Sequence, residues 1–332
     1  MSRLGAYIRS VGHYLPERRL TNADLEKMVD TTDEWIITRT GVRERRILEP
    51  GLGNSFMAVR AARECLDRAG VSAEELDAII VGTVTPDMFF PSTACLVQKE
   101  IGASRAWGFD LSAGCSAFIF SLSTGAQMIE SGRYEKILII GSDVMSTIVD
   151  YEDRNTCVLF GDGAGAVLLE PCPEPGYGIL DFIQHIDGAG ADFLKMKAGG
   201  SRKPASTETV QNREHYVYQE GRQVFKVAVT EMANVSAEIL EKNGLTGEDV
   251  TLFVPHQANL RIIEASANRM GIDMGKVVIN IDRYANTTAA TIPLCLYEVT
   301  VKDKKLKKGD YIVSSSFGAG FTWGSTLIRW WE

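Results

Sequence analysis

The sequence predicts an α/β protein built from two similar halves. Three observations carry this. Apolar runs of strand length, such as Ala78–Val81 and Ile137–Ile140, alternate with amphipathic stretches of helix length. One helix–turn–strand pattern occurs twice at a constant offset of 174 positions, close to half of the 332 residues. Each half then closes with a Gly-rich turn and a strand, Phe160–Leu169 (FGDGAGAVLL) and Phe317–Trp330 (FGAGFTWGSTLIRW).

Along the chain, Thr21–Gly41 carries two helix starts, Thr21-x-x-Asp24 and Thr31-x-x-Glu34, each a hydroxyl followed three residues later by an acid. It also holds Trp35 and Arg39, one helical turn apart. That pair offers a ligand a flat ring and a fixed cation, and it also reads as a solvated helix with one packed Trp. Next, Cys65–Thr83 (CLDRAGVSAEELDAIIVGT) is a helix end, a glycine stop, a Ser72 cap with Glu75, and an apolar strand. Gly108–Leu111 is extended, and a helix starts at or just after Cys115. Ser131–Ser142 (SGRYEKILIIGS) turns at a glycine into a buried strand, and Lys308–Ser315 (KGDYIVSS) echoes it. The Pro/Gly-dense stretch Pro171–Gly178 separates an N-terminal half, 1–175, from a C-terminal half, 176–332. Beyond it, Gly199–His215 is polar and reads as an exposed loop. Ile239–His256 (ILEKNGLTGEDVTLFVPH) repeats the earlier pattern, Gly244 standing for Gly70, Thr246 for Ser72 and Asp249 for Glu75. Continuous apolar strands joined by helices predict parallel sheets covered on both faces.

Composition excludes several classes. With 45% apolar and 23% charged residues the chain is an ordinary globular one, and no apolar run reaches the roughly 18–20 residues of a membrane span. Met1–Pro16 has no basic region followed by an apolar stretch and a cleavage site, so a cytoplasmic location is expected. The six cysteines, at least 15 residues apart with no CxxC pair, argue against disulfides and structural zinc. A formal charge of −8 and pI near 5.3 disfavour nucleic acid and anionic membranes as partners, and Lys302–Lys308 reads as a solvated helix end.

Three residues could carry chemistry. Cys115 sits where an extended run meets a helix start, so free N–H groups and the helix dipole would favour its thiolate. In isolation it reads either as a nucleophile or as an inert buried thiol. His256 ends an apolar strand, the edge at which open α/β sheets bind ligands, and its counterpart by the repeat offset is Gly82. Asn286, in RYANTTAATIP, is a polar group before a helix, either a third member of a site or an N-cap. A thiolate nucleophile with two neutral hydrogen-bond donors suits acyl transfer followed by enolate stabilisation.

The strings TNADLEKMVDTTDEWIITRTGVRER, FGDGAGAVLL, VPHQANLRI and FGAGFTWGS, with Cys115, His256 and Asn286 in that order, resemble β-ketoacyl-acyl-carrier-protein synthase III of the thiolase-like superfamily. The similarity runs from about Tyr7 to Arg329. It implies a thiolase-like fold, two duplicated βαβαβ-type halves in five layers, α-β-α-β-α. It also implies a homodimeric acyltransferase that condenses an acyl-CoA primer, most often acetyl-CoA, with malonyl-acyl carrier protein and needs neither metal nor cofactor, the CoA thioester being a substrate. By motif position Cys115 would carry the acyl group, and His256 and Asn286 would hold the enolate oxygen. The N–H groups of Cys115 and Ala319 would bind the tetrahedral oxyanion. The resemblance further assigns Trp35, Arg39, Arg154, Thr31 and Asn259 to CoA and pantetheine. Lys226, Arg261 and Arg269 would dock the carrier protein, and Phe90, Met145, Phe160 and Phe225 would form the acyl pocket, Phe90 from the dimer partner.

Two family glycines are replaced, by Ala285 in ANTT and by Ala319 in Gly318-Ala319-Gly320. A methyl at Ala319 is expected to strain a left-handed backbone and narrow the site. Rival readings are weaker. A phosphate loop at Gly161–Gly165 lacks the helix and Lys-Ser/Thr such loops require. A silent thiolase-like partner subunit would not need all three residues, a degradative thiolase would want a second cysteine in the last Gly-rich loop, and plant-type polyketide synthases are longer. A synthase III relative using another primer in secondary metabolism is the principal alternative.

Overall fold

The segments legible as buried strands are stacked by the structure into two mixed sheets. It is a computed structural model and describes residues 5–331; Met1 to Leu4 of the N-terminal segment and Glu332 lie outside the described residues. The first sheet has the order Ala6–Tyr14, Gly163–Pro171, Ile137–Asp143, Ala78–Gly82, Trp107–Leu111. The second has the order Gly178–Ile186, Thr322–Arg329, Tyr311–Gly318, Val250–Phe253, and an isolated parallel bridge between Phe253 and Val277 stands where the first sheet has its fifth strand. The chain passes from one sheet to the other between Pro171 and Gly178.

The duplication extends to direction. In each sheet the two outer pairings on one side are antiparallel and the remaining ones parallel. The expectation of wholly parallel sheets is therefore corrected. A parallel return needs a crossover of a dozen or more residues, usually helical. Residues 144–162 contain only a short 3₁₀ turn, Met145–Thr147, and turns, while residues 319–321 form a hairpin loop, so the strands that follow run back antiparallel.

The repeated turn is reproduced in geometry. Gly70 and Gly244 both end their helices at φ +67°. Ser72 and Glu75 cap each other's backbone, and the Thr246 N–H and hydroxyl both donate to Asp249. Capping at the N-terminus differs in one place: the helix Asp33–Thr40 is capped by Thr32, whose hydroxyl accepts the Trp35 N–H at 3.1 Å, and not by Thr31. Thr32 has the extended backbone that aims its oxygen at the third helical N–H. The segment Gly199–His215 is largely exposed, but it includes the short helix Thr207–Gln211 started by a Ser206 cap.

Five layers result. Helices Asn54–Ala69 and Thr93–Ile101 cover the outer face of the first sheet through Met57, Ala61, Val97 and their neighbours. Helices Gly221–Lys242 and Leu260–Met270 cover the outer face of the second through Met232, Ile239 and Ile262. Between the sheets lie Ala117–Glu130 and Thr291–Tyr297, whose Phe118, Leu122, Ile292 and Leu296 share one core with residues of both sheets. That middle layer is apolar all round because a sheet faces it on either side. It also brings the N-termini of its two helices to the strand ends.

Candidate active site

The first half supplies a cysteine on a turn, and the second half holds that turn in place. Cys115 lies in the 3₁₀ turn Gly114–Ser116, which feeds the central helix Ala117–Glu130. Gly114 adopts φ +56°, and a Cβ there would lie 2.5 Å from the Ala319 nitrogen. A Cβ on Gly318 would lie 2.4 Å from the Cys115 nitrogen. The hairpin loop of the second half is thus pressed against the cysteine turn, and three side chains fasten it. The Ser316 hydroxyl donates to the Cys115 carbonyl (2.9 Å), the Thr322 hydroxyl to that of Ala113 (2.7 Å), and the Ser116 hydroxyl to that of Thr322 (3.1 Å). Glycine is required at these two positions by close backbone approach.

His256 follows the strand Val250–Phe253, its N–H donating to the Ser315 carbonyl at 2.8 Å. The ring is 1% exposed. Its Nδ1 lies 2.7 Å from the Thr291 hydroxyl, and its Nε2 has no hydrogen-bond partner. At the matching place in the first half, a Cβ on Gly82 would meet the Ala117 carbonyl at 3.0 Å, so no side chain fits there. Asn286 stands on the turn before the helix Thr291–Tyr297. Its Oδ1 accepts the Thr288 N–H at 2.8 Å, which leaves the amide NH₂ as the group it presents to Cys115.

A carboxylate from the first half anchors that turn. Asp143, last residue of the strand Ile137–Asp143, is buried and takes the Thr83 and Thr85 hydroxyls and the Val84 and Thr85 N–H groups on Oδ1. Its Oδ2 takes the Thr288 hydroxyl and, at 3.3 Å, the Ala289 N–H. The turn needs anchoring, since Ala285 (φ +58°, ψ −157°) and Thr288 (φ +50°) both have left-handed φ. The strain expected of a substituted glycine thus falls on Ala285, while Ala319 has no left-handed φ and the positive angle in its loop belongs to Gly320.

Burial dominates the electrostatics. His256 is pushed down to about 3 by loss of solvent, so its imidazole is neutral at working pH. Cys115 is pushed up to about 12, first by burial and second by the Asp143 charge, against the lowering effect of its own backbone and of Asn286. The expected thiolate is therefore corrected: burial favours the neutral thiol. The helix proper begins two residues later, at Ala117, and burial outweighs the lowering contributions of the Cys115 backbone and Asn286. Burial also raises Asp143.

Cys115, His256 and Asn286 meet at one cleft of about 720 Å³. Phe160, Phe225 and Phe317 form apolar walls, and Trp35, Arg39, Asn259 and Arg261 reach its mouth. Asn259 caps the helix Leu260–Met270 through the Arg261 N–H (3.0 Å) and donates to the Arg39 carbonyl (2.8 Å), joining the two helices that flank the mouth. Four of the candidates assigned to CoA or to the acyl pocket do not line the cleft. Arg154 lies outside it with its guanidinium over the Trp35 ring at 4.6 Å, and it pairs with Asp30 at 3.6 Å. Thr31 is away from the lining, and Met145 packs behind Phe160 in the core that includes Ile36 and Val158. Phe90 is 85% exposed beside Phe89 at 83%. Lys226 and Arg269 are exposed on the two outer helices and do not line the cleft, whereas Arg261 does and stacks on Phe225 at 5.1 Å.

Asp143, Thr288 and Thr291 were not singled out from the sequence. An acid closing the apolar strand ILIIGSD, and the hydroxyl-rich run NTTAAT, are the signals that could have found them. The phosphate-loop alternative fails on structure, because the strand Gly163–Pro171 follows those glycines directly. All six cysteines are free, and among the described residues no group of three or more His, Cys, Asp or Glu is placed to hold a metal ion. No described helix is long and apolar enough to cross a membrane.

Comparison with known proteins gives concordant results. The sequence models described as 3-oxoacyl-[acyl-carrier-protein] synthase III and its C-terminal part match residues 109–200 and 240–330. The β-ketoacyl-[acyl-carrier-protein] synthase III of Koribacter versatilis is 54% identical over 326 residues, 98% of each chain. That of Chlorobium phaeovibrioides is 55% identical over 98% of this chain and all of its own. Among solved structures, the Aquifex aeolicus 3-oxoacyl-[acyl-carrier-protein] synthase III superposes with a TM-score of 0.90 at 45% identity, covering 98% of this chain and 100% of that one. The priming β-ketosynthase of the R1128 polyketide pathway gives 0.91 at 35%, covering 99% and 97%.

Proposed function

The chain belongs to the 3-oxoacyl-[acyl-carrier-protein] synthase III family, and from that premise we propose how its own residues divide the work of one reaction. It is an acyl-transferring condensing enzyme: an acyl-CoA primer and malonyl-acyl carrier protein yield 3-ketoacyl-acyl carrier protein, CO₂ and CoA, the initiating step of fatty-acid synthesis. Cys115 is the nucleophile. Its sulfur attacks the primer's thioester carbonyl, the C–S bond to CoA breaks, and the thiol proton leaves with the CoA thiolate. With its thiol raised by burial, Cys115 relies on the arriving substrate to expel water and on the turn's N–H groups to stabilise negative charge.

The malonyl thioester then takes the place of CoA. Loss of CO₂ leaves an electron pair on C2 that delocalises onto the thioester oxygen, and His256 Nε2–H with the Asn286 amide donate to that oxygen. Both donors are neutral, which avoids protonating the carbanion before it attacks the acyl-cysteine carbonyl. The N–H groups of Cys115 and Ala319, from opposite halves, hold the tetrahedral oxyanion until the C–S bond to Cys115 breaks; the product then leaves and the released Cys115 thiolate takes up a proton from solvent. Each such donor contributes about 10²–10³ in rate. No cofactor takes part, since the CoA thioester brings its own activation.

Trp35, Arg39 and Asn259 at the mouth fit the nucleotide and pantetheine of CoA, with Arg154 and Trp35 opening to take the adenine between them and Thr31 beside them. Phe160 and Phe225 bound the acyl pocket, and Met145 backs it. Lys226, Arg261 and Arg269 form the basic rim for an acidic carrier protein, which gives salt-sensitive binding. The exposed Phe89 and Phe90 suit burial against a second copy of this chain, making a homodimer. A cytoplasmic location and acetyl-CoA as the primer are the readings we favour.

The observation that supports this reading best is the convergence, at one cleft, of the first half's thiol with the second half's unpartnered His256 Nε2 and the Asn286 amide NH₂. The test is intact mass after incubation with acetyl-CoA, for the parent and for Cys115→Ala and Cys295→Ala. A gain of one acetyl group lost only in Cys115→Ala, and discharged into acetoacetyl product by malonyl-acyl carrier protein, is the expected result. Labelling by longer or branched acyl-CoAs alone would move the primer toward specialised metabolism, the alternative that the likeness to a polyketide priming synthase keeps in view. No adduct from any acyl-CoA would overturn the nucleophile.

A further inference from the structure

We propose that Thr291 is a positioning residue whose hydroxyl selects the tautomer of His256, donating to Nδ1 so that the ring carries its proton on Nε2, toward the cleft. This deepens the reading of His256 given above and rests on it.

A neutral imidazole has one N–H, and which nitrogen bears it is decided by the partner of the other. Nε2 has no protein partner and lines the cleft, so nothing on that side makes the choice. Nδ1 has one partner, the Thr291 hydroxyl at 2.7 Å, and both groups are buried. That hydroxyl has a single proton and two acceptors in reach, Nδ1 and the Thr288 carbonyl at 3.0 Å. The Thr288 carbonyl already accepts the backbone N–H of Thr291, so it does not depend on the hydroxyl. The lengths decide between them: 2.7 Å to Nδ1 is the usual length for a hydroxyl donor and short for an N–H···O bond, whereas 3.0 Å to the carbonyl is at the long end for a hydroxyl donor. The proton therefore belongs between Oγ1 and Nδ1.

The alternative rotamer shows what is at stake. A hydroxyl turned to the Thr288 carbonyl would make Nδ1 the donor and leave a bare lone pair on Nε2, facing the oxygen of the incoming thioester. Two acceptors would then meet where an enolate needs a donor. Because Thr288 also orients Asn286 through its N–H and is anchored by Asp143, both enolate donors depend on one turn of six residues. Thr291 reaches the imidazole from the first position of the helix Thr291–Tyr297, where the chain direction is fixed by the central layer.

The experiment compares the full-length parent with Thr291→Val, which removes the hydroxyl at nearly constant shape, and Thr291→Ser, which keeps it. Long-range ¹H–¹⁵N correlations on ¹⁵N-histidine-labelled protein report the tautomer directly, with His256→Gln identifying the signal among the four histidines. Malonyl-thioester decarboxylation and acetylation of Cys115 are measured separately. The expected result is an Nε2–H ring in the parent and in Thr291→Ser. In Thr291→Val both tautomers should be populated, with decarboxylation slowed about 10²-fold or more and acetylation within about 3-fold of the parent. An Nδ1–H ring in the parent, or a Thr291→Val protein that keeps the Nε2–H ring and its decarboxylation rate, would overturn the proposal. If His256→Gln itself leaves decarboxylation unchanged, the role given to His256 fails, while the tautomer spectra still decide what Thr291 does.

Discussion

Replacing Gly318 by alanine should cripple the enzyme without a change in any reacting group. A Cβ built on Gly318 falls 2.4 Å from the Cys115 nitrogen and 3.1 Å from both the Cys115 Cα and the Ser116 nitrogen. Ordinary van der Waals contact begins near 3.4 Å, so the methyl and the cysteine turn must move apart by about 1 Å. Neither side yields easily. Gly318 ends a strand paired along its whole length with Thr322–Arg329, and the turn is tied to the same hairpin by Ser316, Thr322 and Ser116. A misplacement of about 1 Å at a nucleophile costs on the order of 10² in rate. The assay is single-turnover acetylation of Cys115 followed by intact mass, with circular dichroism and a melting curve to confirm folding. Gly188→Ala, where an added Cβ meets nothing within 4 Å, is the matched control. Acetylation of Gly318→Ala within about 3-fold of the parent would refute the claim that this glycine exists to let the hairpin touch the cysteine turn.

Asp143→Asn keeps the shape of the anchor but turns one acceptor oxygen into a donor. Whichever way the amide points, either the Val84 and Thr85 N–H groups or the Ala289 N–H loses its acceptor, so stability should fall by about 1–3 kcal/mol in urea unfolding, with slower malonyl decarboxylation. A variant as stable and as active as the parent would remove Asp143 from the site's support. The raised Cys115 thiol predicts a pH signature: in a Cys95→Ser background, iodoacetamide alkylation of the acyl-free enzyme should rise about tenfold per pH unit from pH 7 to 10 without a plateau. The sign follows from a thiol near 12, whose thiolate fraction is still growing throughout that window. A plateau below pH 8 would mean that the helix N-terminus prevails over burial after all.

Much of this architecture was legible because it rests on local chemistry written twice. Glycine stops at Gly70 and Gly244, hydroxyl–acid caps after each, and strands with no polar residue on either face are short-range signals, and a duplicated pattern repeats them. Cys115, His256 and Asn286 stood out for a similar reason, each being a reactive or polar group at a boundary between strand or turn and helix. What was misread involved partners distant in the chain. Strand direction depended on which connections lacked a crossover helix. The Cys115 thiol depended on burial and on Asp143, 28 residues away in sequence, and both raise it where the helix dipole alone would lower it. Strain expected at Ala319 fell on Ala285, because the backbone angle at a substituted glycine is set by what the loop packs against.

The sequence by itself determined two α/β halves, the order of the strands' and helices' main signals, and the three candidate site residues Cys115, His256 and Asn286. These depend on periodicity, caps and turn residues, whose energetics act within a few positions along the chain. Only the tertiary structure decided that the second half's hairpin supports the first half's cysteine and that Asp143 of the first half anchors the turn bearing Asn286 in the second. It also decided that Thr291 meets His256 across 35 positions. Such contacts arise when two sheets close on a shared middle layer, and a close approach between backbones leaves no periodic trace in the residues that make it.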